Sequence, residues 1–379
     1  MNEKITIAVL VDALGWEFVS EGSFLDGLTP FRTPLRTVLG YSSGAIPSIL
    51  TGRQVDEHGM WNLLYYSPAS SPFRWTRALA PLPERLRESR YTRYLVKRIS
   101  RKISGYTGYF SCYGTPVEYL RYYDICEKKD IYGPAGIEGS PTIFDELSAR
   151  RVSHSVYSYH GYTDEEIFKA AKSDIESGRS SFYFLYLSEL DAFLHNNRHL
   201  ESGIRERLDW YETRIREVFR SALDRGPADL HVFSDHGMAL VTGSYDLISE
   251  VGKLGFAHSR DYLAIYDSTM ARFWFFNDRC RDAFRLLLSS MTEGKLLGDE
   301  DLRAERIKFD DNRYGEMIFL MNPGTVISPS YMGGKPMKGM HGFHPSHKSS
   351  TAMYMSSKTP VKRPHSITDI KNVLLEGLS

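Results

Sequence analysis

Apolar residues in this chain come in two arrangements. Ile5–Val11 (ITIAVLV) is an unbroken β-branched and aliphatic run, the pattern of a strand buried on both faces of a sheet rather than one alternating between core and water. Runs of the same character recur at Ser153–Tyr159, Phe182–Leu187 and Leu230–Phe233, and a further strand is expected over Arg272–Phe276. Between them, Asp164–Ser177 and Ser202–Leu223 mix charged and apolar residues at helical spacing. This alternation predicts an α/β fold, a mostly parallel central sheet with helices on both faces. No internal repeat or low-complexity tract interrupts the 379 residues, and one large domain is expected over 1–379.

Two stretches break the rhythm. From Trp61 to Gly139 the chain is rich in Tyr, Arg and Pro without a clean strand period, and 61–139 reads as an insertion capping the site. A smaller irregular insertion, about 291–340, is expected to carry loops and a hairpin. Within the first, RLRESRYTRYLVKRISRK (Arg85–Lys102) is helix-like and basic with few acids. Its plain reading is a solvated helix face. The alternative is a surface for phosphate groups or anionic lipid, with weak peripheral membrane contact through 85–102.

Candidate chemistry collects where the apolar runs stop. Asp12 follows ITIAVLV, Asp191 and His195 follow FYFLYLSEL, Asp235 and His236 follow LHVFS, and His341 lies in GMHGFHP. Open α/β sheets place their ligand crevice at the carboxyl ends of strands, and carboxylates with imidazoles are a metal donor set. Taken singly, Asp12 reads as a helix cap, Asp191 and His195 as a solvated i,i+4 pair, and Asp235–His236 as a cap beside a core histidine. Their joint occurrence at strand exits favours ligation. His58, in DEHGMW, is expected to hydrogen-bond a turn instead.

The segment GYSSGAIPSILTGRQVDEHGMW (Gly40–Trp61) puts two hydroxyls ahead of a helix-compatible run ending at Thr51–Gly52. A serine at a helix start lies near exposed backbone N–H groups that favour an anionic phosphate. Serine is a weak nucleophile at its own pKa, so it needs a base or a metal beside it.

With these residues in place, the chain resembles the alkaline phosphatase superfamily, and within it the type I phosphodiesterase/nucleotide pyrophosphatase branch. The nucleophile there precedes the Gly of a T-G step by ten residues, which selects Ser42, before Gly52, over Ser43. The D-x-x-x-H pair is matched by Asp191 and His195, the S-D-H-G-M segment by Ser234–Met238, the first-strand Asp by Asp12 and the late H-G by His341–Gly342, which selects His341 over His344 and His347. The resemblance implies an alkaline-phosphatase-like three-layer sandwich and two divalent ions, zinc first with manganese or another ion as alternative. One ion would sit on Asp12, Ser42, Asp235 and His236, the other on Asp191, His195 and His341. It also implies a metal-dependent phosphoric ester hydrolase acting through a phosphoseryl intermediate, with diesters or pyrophosphates favoured. Ser43, Lys338 and His344 are further candidates for substrate contact. Sulfatases need Pro and Arg where this chain has Gly44 and Ile46, which argues against sulfate esters. GAIPSIL replaces the Asn-containing segment of nucleotide pyrophosphatases, and the phosphate-gripping arginine of alkaline phosphatases has no counterpart.

Bulk properties narrow the partners. Lys plus Arg and Asp plus Glu both number 47, so no global field draws the chain to nucleic acid; a small-molecule, lipid or sugar phosphate ester is expected, with the oligomeric state open. Cys112, Cys126 and Cys280 form no ligand spacing and suit a reducing, cytoplasmic setting. ITIAVLV lacks a small-residue cleavage site after it, and no apolar stretch is long enough to span a bilayer. Three other functions compete. GYSSG fits the G-x-S-x-G elbow of metal-independent serine esterases, with Asp235 and His341 completing a triad. A sugar-phosphate mutase on the same metal site, or a non-catalytic binding module, completes the set.

Overall fold

Ile5–Val11 is a strand buried along its whole length, parallel to Phe182–Leu187 on one side and Ala228–Phe233 on the other, in the computed structural model, which describes residues 4–376 and 378. Six strands form the central sheet in the order Phe31–Leu35, Ala352–Ser356, Ala228–Phe233, Ile5–Val11, Phe182–Leu187, His154–Tyr157. His154–Tyr157 also runs parallel, whereas Ala352–Ser356 is antiparallel to both of its neighbours, so the expected mostly parallel sheet is mixed at one side. Helices Asp164–Ser177 and Glu201–Arg225 pack against it, bringing Ile167, Ala171, Ile175, Ile215, Val218 and Phe219 into one core with Ile7, Val9, Leu185 and Val232. A capping box starts the first of these: Thr163 accepts from the Glu166 N–H and Glu166 accepts from the Thr163 N–H.

The chain forms two compact units. The first comprises Met1–His58, Tyr132–Leu240 and Met337–Ser379, and holds the central sheet. The second comprises Gly59–Ile131 and Val241–Pro336. Its first segment runs close to the expected 61–139 stretch; its second starts well upstream of 291. The second unit has its own antiparallel sheet, ordered Tyr262–Tyr266, Met270–Phe275, Met317–Met321, Gly294–Leu296, and an antiparallel pair of Leu64–Tyr66 with Tyr123–Ile125. The strand expected at Arg272–Phe276 is therefore present, shifted to Met270–Phe275, and belongs to this sheet. Arg272 is buried there, its guanidinium bonded to Asp267 at 3.1 Å and to the Leu64 carbonyl at 2.9 Å. The basic segment 85–102 splits into helices Glu84–Arg87 and Arg90–Ser104, the latter capped by Ser89. All three cysteines are free thiols. Among the described residues no helix is long and apolar enough to cross a membrane.

Candidate metal centre

Register positions the site. Val11 pairs with Leu187 and Leu10 with Phe233, so three parallel strands reach their carboxyl ends at one level and deliver Asp12, the helix bearing Asp191, and Asp235 to the same rim. Past Asp12 the chain turns sharply at Ala13, whose φ of 62° is in the left-handed region that a non-glycine residue enters at a cost. The Ala13 N–H donates to Asp235 Oδ1 at 3.3 Å, tying two strand exits together. Gly237 lets the backbone of the D-H-G segment pass close by: a Cβ there would meet the Ser349 carbonyl oxygen at 2.4 Å.

Ser42 opens helix Ser42–Thr51, which follows extended backbone at Tyr41 and ends at left-handed Gly52. Its Oγ is 3.0 Å from His236 Nε2. Deeper in that helix, buried Ser48 meets His58 Nε2 at 2.9 Å, and burial first, then the Arg53 charge, pushes His58 down to about 3. His58 is thus a structural histidine, as expected, but it meets the Ser48 side chain of this helix where a turn was the expected partner.

Around His236 the acceptors crowd. Nδ1 faces the Gly237 carbonyl at 3.0 Å, and a carbonyl can only accept, so Nδ1 carries the proton and Nε2 presents a lone pair. That lone pair lies 3.1 Å from Asp235 Oδ2 and 3.5 Å from Asp12 Oδ1. Both oxygens are buried with no hydrogen-bond partner, as are Asp191 Oδ1 and His341 Nδ1. Several buried, unsatisfied acceptors aimed at one another are unfavourable unless a cation lies among them. Burial above all, then the Asp235 and Asp191 charges, raises Asp12 well above the usual carboxylate range, although the Tyr186 hydroxyl donates to its Oδ2 at 2.5 Å.

A second group adjoins the first. His195 Nδ1 faces the Gly339 carbonyl at 2.9 Å, which turns Nε2 toward Asp191 Oδ2 at 3.3 Å, and His341 Nε2 is 3.6 Å from Asp191 Oδ1. Burial alone would raise Asp191, but the His195 hydrogen bond and the charges of His195, His341 and His236 outweigh it and hold the carboxyl below its ordinary value. The converse applies to His195, where burial is overcome by Asp191 and the pKa rises. His341 falls well below the ordinary value through burial and then the charge of His236, on which its ring stacks at 3.8 Å.

Two sets of possible ligand atoms lie within 4.8 Å of one another: Asp12, Asp235 and His236, and Asp191, His236 and His341. All seven sequence candidates are thus on one rim of the first unit. The grouping differs in detail from the expected division: His236 stands between the sets, and His195 adjoins the second through Asp191 Oδ2 and the His341 ring, 5.3 Å away between centroids. Ser43 is the second residue of the Ser42 helix, and Lys338 is exposed with its backbone N–H on the His195 carbonyl at 2.8 Å. His344 turns its Nδ1 to Ser346 at 2.7 Å. The esterase triad does not form, because Ser42 bonds His236 rather than His341 and the other His236 nitrogen meets a carbonyl rather than a carboxylate. Sequence reasoning missed Tyr186 and Thr37, whose hydroxyl donates to the Asp235 carbonyl at 2.6 Å. A tyrosine inside an apolar strand gives no signal of polar duty.

The donor set of two carboxylates and an imidazole beside a hydroxyl fits a zinc-type ion at the first group, and a carboxylate with two imidazoles fits one at the second. A model of the type I phosphodiesterase / nucleotide pyrophosphatase family matches residues 41–344, from just before Ser42 to just past His341. No curated protein matches the chain by sequence. Among solved structures, human ectonucleotide pyrophosphatase / phosphodiesterase 5 superposes with a TM-score of 0.69 at 11% identity, over 98% of this chain and 94% of that one. The murine protein of that name gives 0.69 at 13% identity with the same coverage. Its inactive form in complex with AMP gives 0.67 at 14% identity, again over 98% and 94%. Identities this low speak to the fold, which is α/β and alkaline-phosphatase-like.

Proposed function

Because this chain belongs to the type I phosphodiesterase / nucleotide pyrophosphatase family, and is an enzyme of that phosphodiesterase/pyrophosphatase class, we propose that it transfers the phosphoryl group of a diester or pyrophosphate, still bearing one ester substituent, to Ser42 and then to water. Ser42 Oγ, at the positive end of its helix, attacks phosphorus in line as the bond to the leaving oxygen breaks, and the hydroxyl proton ends, by way of solvent, on that leaving oxygen. Water then attacks the phosphoseryl group from the opposite side, releasing a phosphate monoester and restoring the hydroxyl. Divalent cations held by Asp12, Ser42, Asp235 and His236, and by Asp191, His195 and His341, zinc by donor type, would when bound draw charge from the Ser42 hydroxyl and offset charge on the transferring group. Gly237 and Gly339 carbonyls fix the tautomers of His236 and His195 so that both Nε2 atoms face the site. Tyr186 holds Asp12 by one oxygen and leaves the other directed inward.

The observation that carries this reading is the Ser42 hydroxyl, 3.0 Å from His236 amid buried carboxylate oxygens that have no other partner. The AMP complex of the murine structural neighbour supports nucleotide-type esters as the first substrates to assay. The deciding experiment offers the protein a bis-aryl phosphate, an aryl phosphate and an aryl sulfate before and after chelation. Diester turnover that stops on chelation and returns with zinc or manganese is expected. Undiminished turnover by metal-free protein would refute the reading.

A further inference from the structure

Helix Arg90–Ser104, in the second unit, has only two buried residues, Val96 and Ser100. Its i,i+4 series Tyr91, Leu95, Ile99 and Ile103 is instead exposed, at 68, 50, 37 and 66%. Leu86, in the short preceding helix, extends the exposed apolar surface at 56%. A surface helix ordinarily turns its apolar stripe toward the core, and a contiguous one left facing water marks an interaction surface.

The same helix is strongly basic. Residues 90–104 contain four arginines, two lysines and no acid, in a chain whose charges cancel overall. Arg93 is engaged by Glu88 and by the carbonyls of Tyr113 and Thr115, and Arg101 turns toward the Tyr106 and Thr107 carbonyls. Lys97, Arg98 and Lys102 make no ion pair or side-chain hydrogen bond among the described residues. Lys102, in the last turn, complements the helix dipole. Lys97 and Arg98, in mid-helix, have no such reason to be basic.

We propose that this helix seats the protein on an anionic membrane surface. Tyr91, Leu95, Ile99 and Ile103 would enter the boundary between headgroups and acyl chains, and Lys97, Arg98 and Lys102 would meet lipid phosphates and carboxylates. An acidic polypeptide would use the charges and leave the aliphatic stripe in water. A second copy would use the stripe but bring two strongly basic helices together. An anionic bilayer satisfies both at once. The surface is independent of the hydrolytic reading, since none of these residues belongs to the metal centre.

Flotation of the full chain with phosphatidylcholine vesicles, and with vesicles containing about one-third phosphatidylserine, tests it. Binding to the anionic vesicles alone is expected, weakened by salt. The combined substitution Lys97→Gln, Arg98→Gln, Lys102→Gln should reduce it about a hundredfold, and Leu95→Ser with Ile103→Ser about tenfold. Both variants should hydrolyse a soluble aryl diester as before. Equal binding to the two vesicle types overturns the proposal, as does anionic binding indifferent to both variants. So does a chain that ignores vesicles, whether it dimerises through Leu95 and Ile103 or captures an acidic polypeptide instead.

Discussion

Buried carboxylates serve opposite ends in the two units. Asp124, in the second, accepts hydrogen bonds from the hydroxyls of Tyr65, Ser70 and Tyr106 and from the Ile125 N–H, and pairs with Lys128 at 3.2 Å. Asp12 and Asp235, in the first, each keep one oxygen buried and unpartnered beside the His236 lone pair. A satisfied buried charge is part of the packing. An unsatisfied one makes sense only with an ion beside it, and it destabilises the bare protein.

Four changes would break or sharpen that contrast. Ser42→Ala should lower diester turnover about 10^3-fold or more while metal content, read by elemental analysis, stays near that of the parent. Turnover surviving at a tenth or more would move the nucleophile, with Ser43 the first to examine. Asp124→Ala strips three hydroxyls of their acceptor and should cost about 3 kcal/mol of stability in denaturant titration. Metal binding should not change in that variant, and a parallel loss of metal would end the distinction drawn here.

Glu127, buried in the second unit with its oxygen on the Tyr109 N–H at 2.8 Å, is pushed by burial from the ordinary 4.5 up to about 7. The folded chain therefore keeps this proton longer than the unfolded chain does. Its contribution to stability is largest below about pH 4.5 and shrinks by about 3 kcal/mol as pH rises to about 7. Glu127→Gln should flatten that slope in pH-dependent melting, and an unchanged slope would assign the trend elsewhere. The smallest effect is expected from Tyr186→Phe, which removes the hydrogen bond orienting Asp12 and should weaken zinc binding about tenfold by calorimetry. Unaltered affinity would make Tyr186 a packing residue only.

Much of the first unit was legible because its strands are long, continuously apolar and buried on both faces. Phe31–Leu35 escaped notice because FRTPL is an edge strand carrying Pro34 and polar residues, and Ala352–Ser356 because AMYMS is short and lies close to a loop-rich stretch. The ligands were readable since each ends or closely follows an apolar run, or stands in the late H-G step. Their supports were not. Tyr186 looks like any core aromatic, and the carbonyls of Gly237 and Gly339 carry no side chain to betray them.

What the chain determined on its own was therefore local: which runs become strands, where they stop, and which oxygens and nitrogens stand there, because burial preference and helical or strand period act over neighbouring residues. Only the tertiary structure decided that Val11 lies level with Leu187 and Leu10 with Phe233, that His236 stands between two groups of ligands, and that the Asp12 and Asp235 oxygens face inward unpaired. Those outcomes depend on ångström-scale distances between residues hundreds of positions apart, which register and packing set and no local pattern encodes.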